Sequence, residues 1–291
     1  MSQSTIAIQG MPGAYTEQAA QQLYGPDANL LYLPTFEEVF AALRSKDAST
    51  AVVAIANVNI GFIPEPHQEL VASGGTYFVN GETHVAVHHQ LLGMPGVSIA
   101  DIKHIHSMAP ALEQSARTLH HLLPHAEIIE EADTALSAQR VRELQDPGHA
   151  AVASAKAGEL NGLKVIKADI QDKVKNITRF LSLTLRRQGI SAIDGSENKT
   201  TMLLDVPERQ GALFKSLAPF WLTGTNITTL HSSFVEESDF TERFFIEFEA
   251  GVQARKTKFI LAALRKLGAE TTILGSYRRN EAYHKTKGVM A

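Results

Sequence analysis

"IAIQGMPGAYTEQAAQQLYG", residues 6–25, runs from an apolar stretch through a glycine-containing turn into a helical pattern. Ile6, Ala7 and Ile8 read as a short buried strand, Gly10 and Gly13 as parts of a tight turn, and Glu17 to Tyr24 as a helix that Gly25 and Pro26 end. Strand, turn and helix in that order are the unit of an α/β protein, and the pattern continues through the first 185 residues. "TFEEVFAALRSKDAS" (35–49) predicts a helix, with Phe36, Val39, Phe40 and Leu43 on one face, and "TAVVAIANV" (50–58) a second buried strand. "THVAVHHQLLG" (83–93) and "IKHIHS" (102–107) read as strands, and the run 108–123 as a helix stopped by Pro124. "TALSAQRVREL" (134–144) is a further helix, followed by the strand "AAVAS" (150–154), the short helix "AKAGEL" (155–160) and the strand "NITRFLSL" (176–183).

Residues 186–199, "RRQGISAIDGSENK", are polar without a clear period and read as a connection. Beyond it the order changes to strand 200–206, helix 211–223, strands 226–235 and 241–249, helix 254–267 and strand 270–277. β-α-β-β-α-β is the ferredoxin-like, split βαβ order. The predicted organisation is a first domain over 1–187, a linker over 188–198 and a second domain over 199–291.

Composition narrows the function classes. A chain of 291 residues with 44% hydrophobic and 20% charged residues and a net charge of −4 has the make-up of an ordinary globular protein, without the basic surplus of a nucleic-acid binder. The absence of cysteine excludes disulfides, thiolate catalysis and Cys-ligated metal. No apolar run approaches the roughly 18 residues of a membrane span, and the N-terminus lacks a secretory pattern, so a cytoplasmic location is expected. Twelve histidines invite a metal hypothesis, but no H-E-x-x-H occurs, His88 and His89 are adjacent, and Pro124 interrupts the turn that would pair His121 with His125; no metal is expected. The pairs Glu37–Glu38, Glu130–Glu131 and Glu236–Glu237 read as solvated charge.

Two stretches carry chemistry. The turn "GMPGAYT" (10–16) places backbone N–H groups at a helix N-terminus, an arrangement that suits either an anion or a plain tight turn. "NITRFL" (176–181) sets a hydroxyl and a guanidinium in an apolar strand. As a half-buried strand, it would simply satisfy its Thr on the backbone; as a site, Arg179 is a forked donor for a carboxylate and Thr178 a proton or hydrogen-bond donor beside it.

The order of these pieces resembles the prephenate dehydratase family. The match rests on the glycine turn, "AVVAIAN", "IKHIHS", "AAVAS", "LNGLKVI", "IQD" and "NITRFL", while "RQGALF", "TNITTL" and "ILGSY" resemble the ACT regulatory domain that follows in that family. The resemblance implies a two-lobed catalytic domain built like type 2 periplasmic binding proteins, then a ferredoxin-like ACT domain. It implies conversion of prephenate, a dicarboxylate, to phenylpyruvate with loss of water and carbon dioxide, and no cofactor. In the N-x-T-R-F motif the threonine is catalytic, so the resemblance gives that role to Thr178 and substrate binding to Asn176, Arg179 and Phe180, with Asn57, Ser107 and the turn residues Gly13, Ala14, Tyr15 and Thr16 completing the site. It gives an amino-acid effector, at an interface of a homodimer or homotetramer, to Gly211, Ala212, Leu213, Asn226, His231 and Ser232.

The chain also departs from the family. Glu-Asn-Ser is here Ala56, Asn57, Val58; Ser-His-Pro-Gln is Ser107, Met108, Ala109, Pro110; a small hydroxylic residue of the turn is Ala14; and Glu-Ser-Arg-Pro is His231, Ser232, Ser233, Phe234. Two other readings therefore stay open, a carboxylate-binding sensor that has lost the chemistry, and altered chemistry on prephenate or arogenate.

Overall fold

The computed structural model describes residues 4–234 and 242–281, so the Glu236–Glu237 pair lies outside the described residues. The chain divides into two compact units, Met1–Ile63 with Thr83–Phe180, and Pro64–Glu82 with Leu181–Ala291. The first unit begins with β1 (Thr5–Gln9), α1 (Tyr15–Tyr24), β2 (Asn29–Leu33), α2 (Phe36–Ser45), β3 (Thr50–Asn57) and β4 (Gly61–Phe62). α3 (Pro64–Ala72) and the start of β5 (Tyr77–Ala86) belong to the second unit. The first resumes with β6 (Gln90–Gly93), β7 (His104–Ser107), α4 (Ala109–Gln114), α5 (Ala116–Leu122) and β8 (Glu127–Glu130). It continues through α6 (Thr134–Leu144), β9 (His149–Ala153), α7 (Ala155–Leu160) and β10 (Lys164–Lys167) to the start of β11 (Ile177–Leu185). The rest of the second unit is α8 (Arg186–Ser191), β12 (Lys199–Asp205), α9 (Ala212–Leu222), β13 (Ile227–Phe234), β14 (Glu242–Phe248), α10 (Arg255–Lys266) and β15 (Glu270–Tyr277).

Two sheets organise the first unit. β1 lies between β2 and β3, parallel to both, and β11 follows β3. The apolar run of β1 is buried because a parallel sheet is covered on both faces; Ile6 and Ile8 pack with Ala19 and Ala20 of α1, Val52 of β3 and Phe180. The other sheet runs β10-β6-β9-β7-β8, with β7 parallel to β8 and β9 and β6 antiparallel to its neighbours. Side-chain caps start α6 and α7: Asp133 accepts from the backbone N–H groups of Ala135 and Leu136 at α6, and Ser154 from that of Ala157 at α7.

In the second unit, residues 199–277 follow the order β-α-β-β-α-β, with strands arranged β13-β14-β12-β15. β12 alternates strictly. Met202 and Leu204 face Phe220 of α9 and Ile260 and Leu264 of α10, whereas Leu203 faces Val71 of α3. The stretch 186–191, polar and aperiodic in sequence, is the short helix α8. Gly189 lets it pack closely: a Cβ there would lie 2.2 Å from the Phe78 ring, so glycine allows the backbone to close onto that ring.

A buried ionic cluster ties this unit together. Lys199 Nζ lies 2.8 Å from Glu82 Oε2 and 3.8 Å from Glu247 Oε2, with all three side chains at most 5% exposed. Hydroxyls of Thr201 and Tyr277 donate to Glu247 Oε1, and that of Thr229 to Oε2. Beside it, the His67 and His231 rings lie 4.6 Å apart. Burial, with His231 adding repulsion, pushes His67 down to about 4.

Lys199→Met leaves two buried carboxylates without their cation, and urea unfolding at neutral pH is expected to show a loss of about 3–5 kcal/mol; a loss under about 1 kcal/mol, the scale of an exposed pair, would contradict the cluster's role. His67 binds its proton more readily unfolded, ordinary value 6.5, than folded, so its contribution is intact above that value and is lost as pH falls through about 4. His67→Phe should flatten the fall in melting temperature between those two pH values relative to the parent.

Candidate active site

Asn57 is the last residue of β3, and Asn176 and Thr178 flank Ile177 at the start of β11. Main-chain pairing of Val58 N–H with Ile177 O at 3.0 Å holds the two strand ends together. The Asn57 side chain, 5% exposed, accepts at Oδ1 from the Asn59 N–H at 2.8 Å. A backbone N–H can only donate, so the amide orientation is fixed: Nδ2 must point the other way. It donates to Asn176 Oδ1 at 2.8 Å and to Thr178 Oγ1 at 2.9 Å. With a lone pair of the Thr178 oxygen occupied by this donor, its O–H is left to donate elsewhere.

The chain of bonds continues. Asn176 Nδ2 donates to Gln114 Oε1 at 2.6 Å, and His89 Nε2 lies 3.0 Å from the same oxygen. Gln171 Oε1 accepts from the His89 N–H at 3.0 Å, and the Tyr15 hydroxyl donates to His88 O at 2.6 Å, burial holding that hydroxyl protonated. Gln114 and Gln171 also line a cavity of about 360 Å³, together with Asn59, Ile60, Glu113, Arg117, Asp172 and Lys173. Its wall carries both signs of charge, Arg117 and Lys173 with Glu113 and Asp172, and Arg117 Nε lies 3.7 Å from Asp172 Oδ2.

Other residues that the sequence singled out lie elsewhere. Phe180, 2% exposed, is part of the core around β1. Arg179 is half-buried, and strand alternation directs it to the face opposite Asn176 and Thr178. Ser107 is buried and donates to Val152 O at 2.7 Å, while Met108 packs in the neighbouring core. In the turn, the Gly13 N–H donates to Glu17 Oε2, Gly13 O accepts from the Ser154 hydroxyl, and Ala14 packs among Leu92, Ala135 and Ala157. The chain's own Glu17 carboxylate therefore takes the position a bound anion would have at Gly13. Tyr15 borders a cavity of about 340 Å³ with His88, Gln90 and Lys156, and Thr16 is buried at the start of α1.

In the second unit, Gly211 opens α9 at φ +76, and Ala212 and Leu213 line a cavity of about 360 Å³ with Arg209, Glu242 and Phe244. Asn226 donates to Glu249, His231 meets His67, and Ser232 is exposed; none of the three is part of that lining among the described residues. In the sequence, His89 stood out only as a possible metal ligand and Gln171 only within "IQD"; neither is joined there to Gln114, because no spacing links the three. Among the described residues no group of three or more His, Asp or Glu is placed to hold a metal ion, and no helix is long and apolar enough to cross a membrane.

The first unit thus carries two sheets with their helices, and the side chains of Asn57, Asn176 and Gln114 form a polar network within it. The family model for prephenate dehydratase matches residues 6–188. The chain belongs to the prephenate dehydratase family. It is 35% identical over 272 residues to a bifunctional N-acyl-homoserine lactone acylase/prephenate dehydratase of Komagataeibacter europaeus, covering 94% of this chain and 95% of that one. It is 32% identical over 290 residues to arogenate dehydratase/prephenate dehydratase 1, chloroplastic, of Arabidopsis thaliana, covering 95% of this chain and 72% of the relative. The solved prephenate dehydratase of Arthrobacter aurescens in complex with L-Phe superposes with a TM-score of 0.83 at 27% identity, over 94% of this chain and 90% of that chain.

Gly13 has φ +93, and a Cβ there would lie 2.7 Å from Ala157 Cα. Gly13→Ala is expected to lower stability by about 1–3 kcal/mol in thermal or chemical unfolding, whereas Gly25→Ala, with φ +94 but nothing within 4 Å, should cost less.

Proposed function

We propose that the protein is a prephenate dehydratase, converting prephenate to phenylpyruvate with loss of water and carbon dioxide. Thr178 is the proton donor to the departing hydroxyl, and the Asn57 contact to its oxygen at 2.9 Å is the observation that carries the reading. Aromatisation supplies the driving force, so the protein's task is to hold the two carboxylates and protonate one oxygen. Asn57 and Asn176 fix the donor, while Arg179, to which the family motif gives substrate binding, leaves the strand on the face opposite Thr178. The family resemblance and the relatives' names support this reading.

Residues 199–277 fit an ACT regulatory domain in element order and strand arrangement, with the cavity beside Ala212 and Leu213 as the place for an amino-acid effector. A cytoplasmic homo-oligomer is part of the same proposal. The acylase activity in the Komagataeibacter relative's name needs a nucleophile with a base beside it. Thr178 instead faces the Asn57 amide, which takes up no proton, so this hydroxyl serves as a donor rather than a nucleophile.

Purified protein is expected to raise phenylpyruvate absorbance with prephenate, and Thr178→Val to lower kcat by about a hundredfold or more. Arogenate, assayed in parallel, reports as phenylalanine. No product above the spontaneous background from either substrate would contradict the proposal.

A further inference from the structure

We propose that His89 is a positioning residue for Thr178, its neutral imidazole holding Gln114 as an acceptor and so locking the amide chain that ends on the Thr178 hydroxyl. This rests on the reading of Thr178 as the proton donor. His89 is 3% exposed, and its Nε2 shares Gln114 Oε1 with Asn176 Nδ2, at 3.0 and 2.6 Å. Because the Asn59 N–H fixes Asn57, and Asn57 fixes Asn176, Gln114 must present its oxygen to both neighbours. The proton of the His89 ring therefore sits on Nε2. If Gln114 turned over, its NH₂ would meet the Asn176 NH₂, two donors without an acceptor, and Asn176, which shares the Asn57 amide with Thr178, would lose its anchor. His89 adds a second donor to the same Gln114 oxygen and so deepens the preference for this orientation.

The other ring nitrogen supports a role beyond packing. Nδ1 is buried and makes no hydrogen bond, and the ring lies edge-on to Tyr15 at 6.0 Å between centroids. A phenyl ring would fill the same apolar space without leaving a buried acceptor unsatisfied, so the imidazole is justified by its Nε2–H alone. Burial keeps the ring below its ordinary pKa and so in the neutral, single-donor form.

The test compares His89→Phe, which keeps the ring and removes the donor, with His89→Gln, which keeps an N–H. For His89→Phe, kcat with prephenate is expected to fall by about ten- to a hundredfold, KM to stay within about twofold, and the melting temperature to stay close to the parent's. His89→Gln should recover most of kcat. Equal losses in both variants, or parental kcat in His89→Phe, would overturn the proposal. Side-chain amide exchange of Asn57 and Asn176, followed by NMR, reads the same chain without turnover. Slow exchange in the parent and in His89→Gln but fast exchange in His89→Phe is expected, and unchanged exchange in His89→Phe would overturn the proposal. Absence of turnover in the parent would instead remove the dehydratase reading and leave the exchange result to decide the role of His89.

Discussion

The backbone N–H of Asn59 donates to Asn57 Oδ1, and the direction of a whole series of side-chain hydrogen bonds follows from that contact. An asparagine amide can present either end, but only one end can face an N–H. Once Asn57 is fixed, Asn176 must accept from it, Gln114 must accept from Asn176, and the Thr178 oxygen must receive a donor. Buried amides that reverse would leave donors facing donors, at a cost of about 1–3 kcal/mol for each unsatisfied group. The hydroxyl at Thr178 is thereby held with its proton directed away from the network.

The scaffold makes this geometry firm. Asn57 and Thr178 stand at the ends of β3 and β11, whose main chains bond to one another, and Val87 N–H bonds to Asn176 O at 2.8 Å. Sites carried on paired strand ends hold their side chains more closely than sites on free loops. Ala14 and Met108 enter apolar clusters in which a hydroxyl or an imidazole would need a partner, whereas Val58 is exposed. The polar content of the site instead comes from Asn57, Asn176, Gln114 and His89.

Much of the fold was legible in the sequence because the apolar periods of β1, α2, β3 and the elements after residue 199 agree with their packing. "NITRFL" stood out because a hydroxyl and a guanidinium in an apolar strand need an explanation. Its parts then separate: Thr178 joins the network, Phe180 joins the core, and Arg179 leaves the strand on the other face. Gln114 and His89 were hidden because their partnership spans 25 residues and two different segments, which no local pattern records. α8 was hidden because its stretch is polar and aperiodic, and its packing depends on Gly189 permitting close approach to Phe78. The glycine turn was ambiguous for a similar reason. Its donor at Gly13 is taken by Glu17, four residues on, a contact that spacing allowed but did not demand.

On the proposed reading, Thr178 donates because Asn57 donates to it. Asn57→Asp keeps the size of the side chain and the acceptor for the Asn59 N–H while turning the donor toward Thr178 into an acceptor. In a kcat–pH profile with prephenate, this variant should lose about a hundredfold in rate where the carboxylate is ionised, and regain activity as falling pH protonates it. A profile matching that of the parent protein across the whole range would contradict the account.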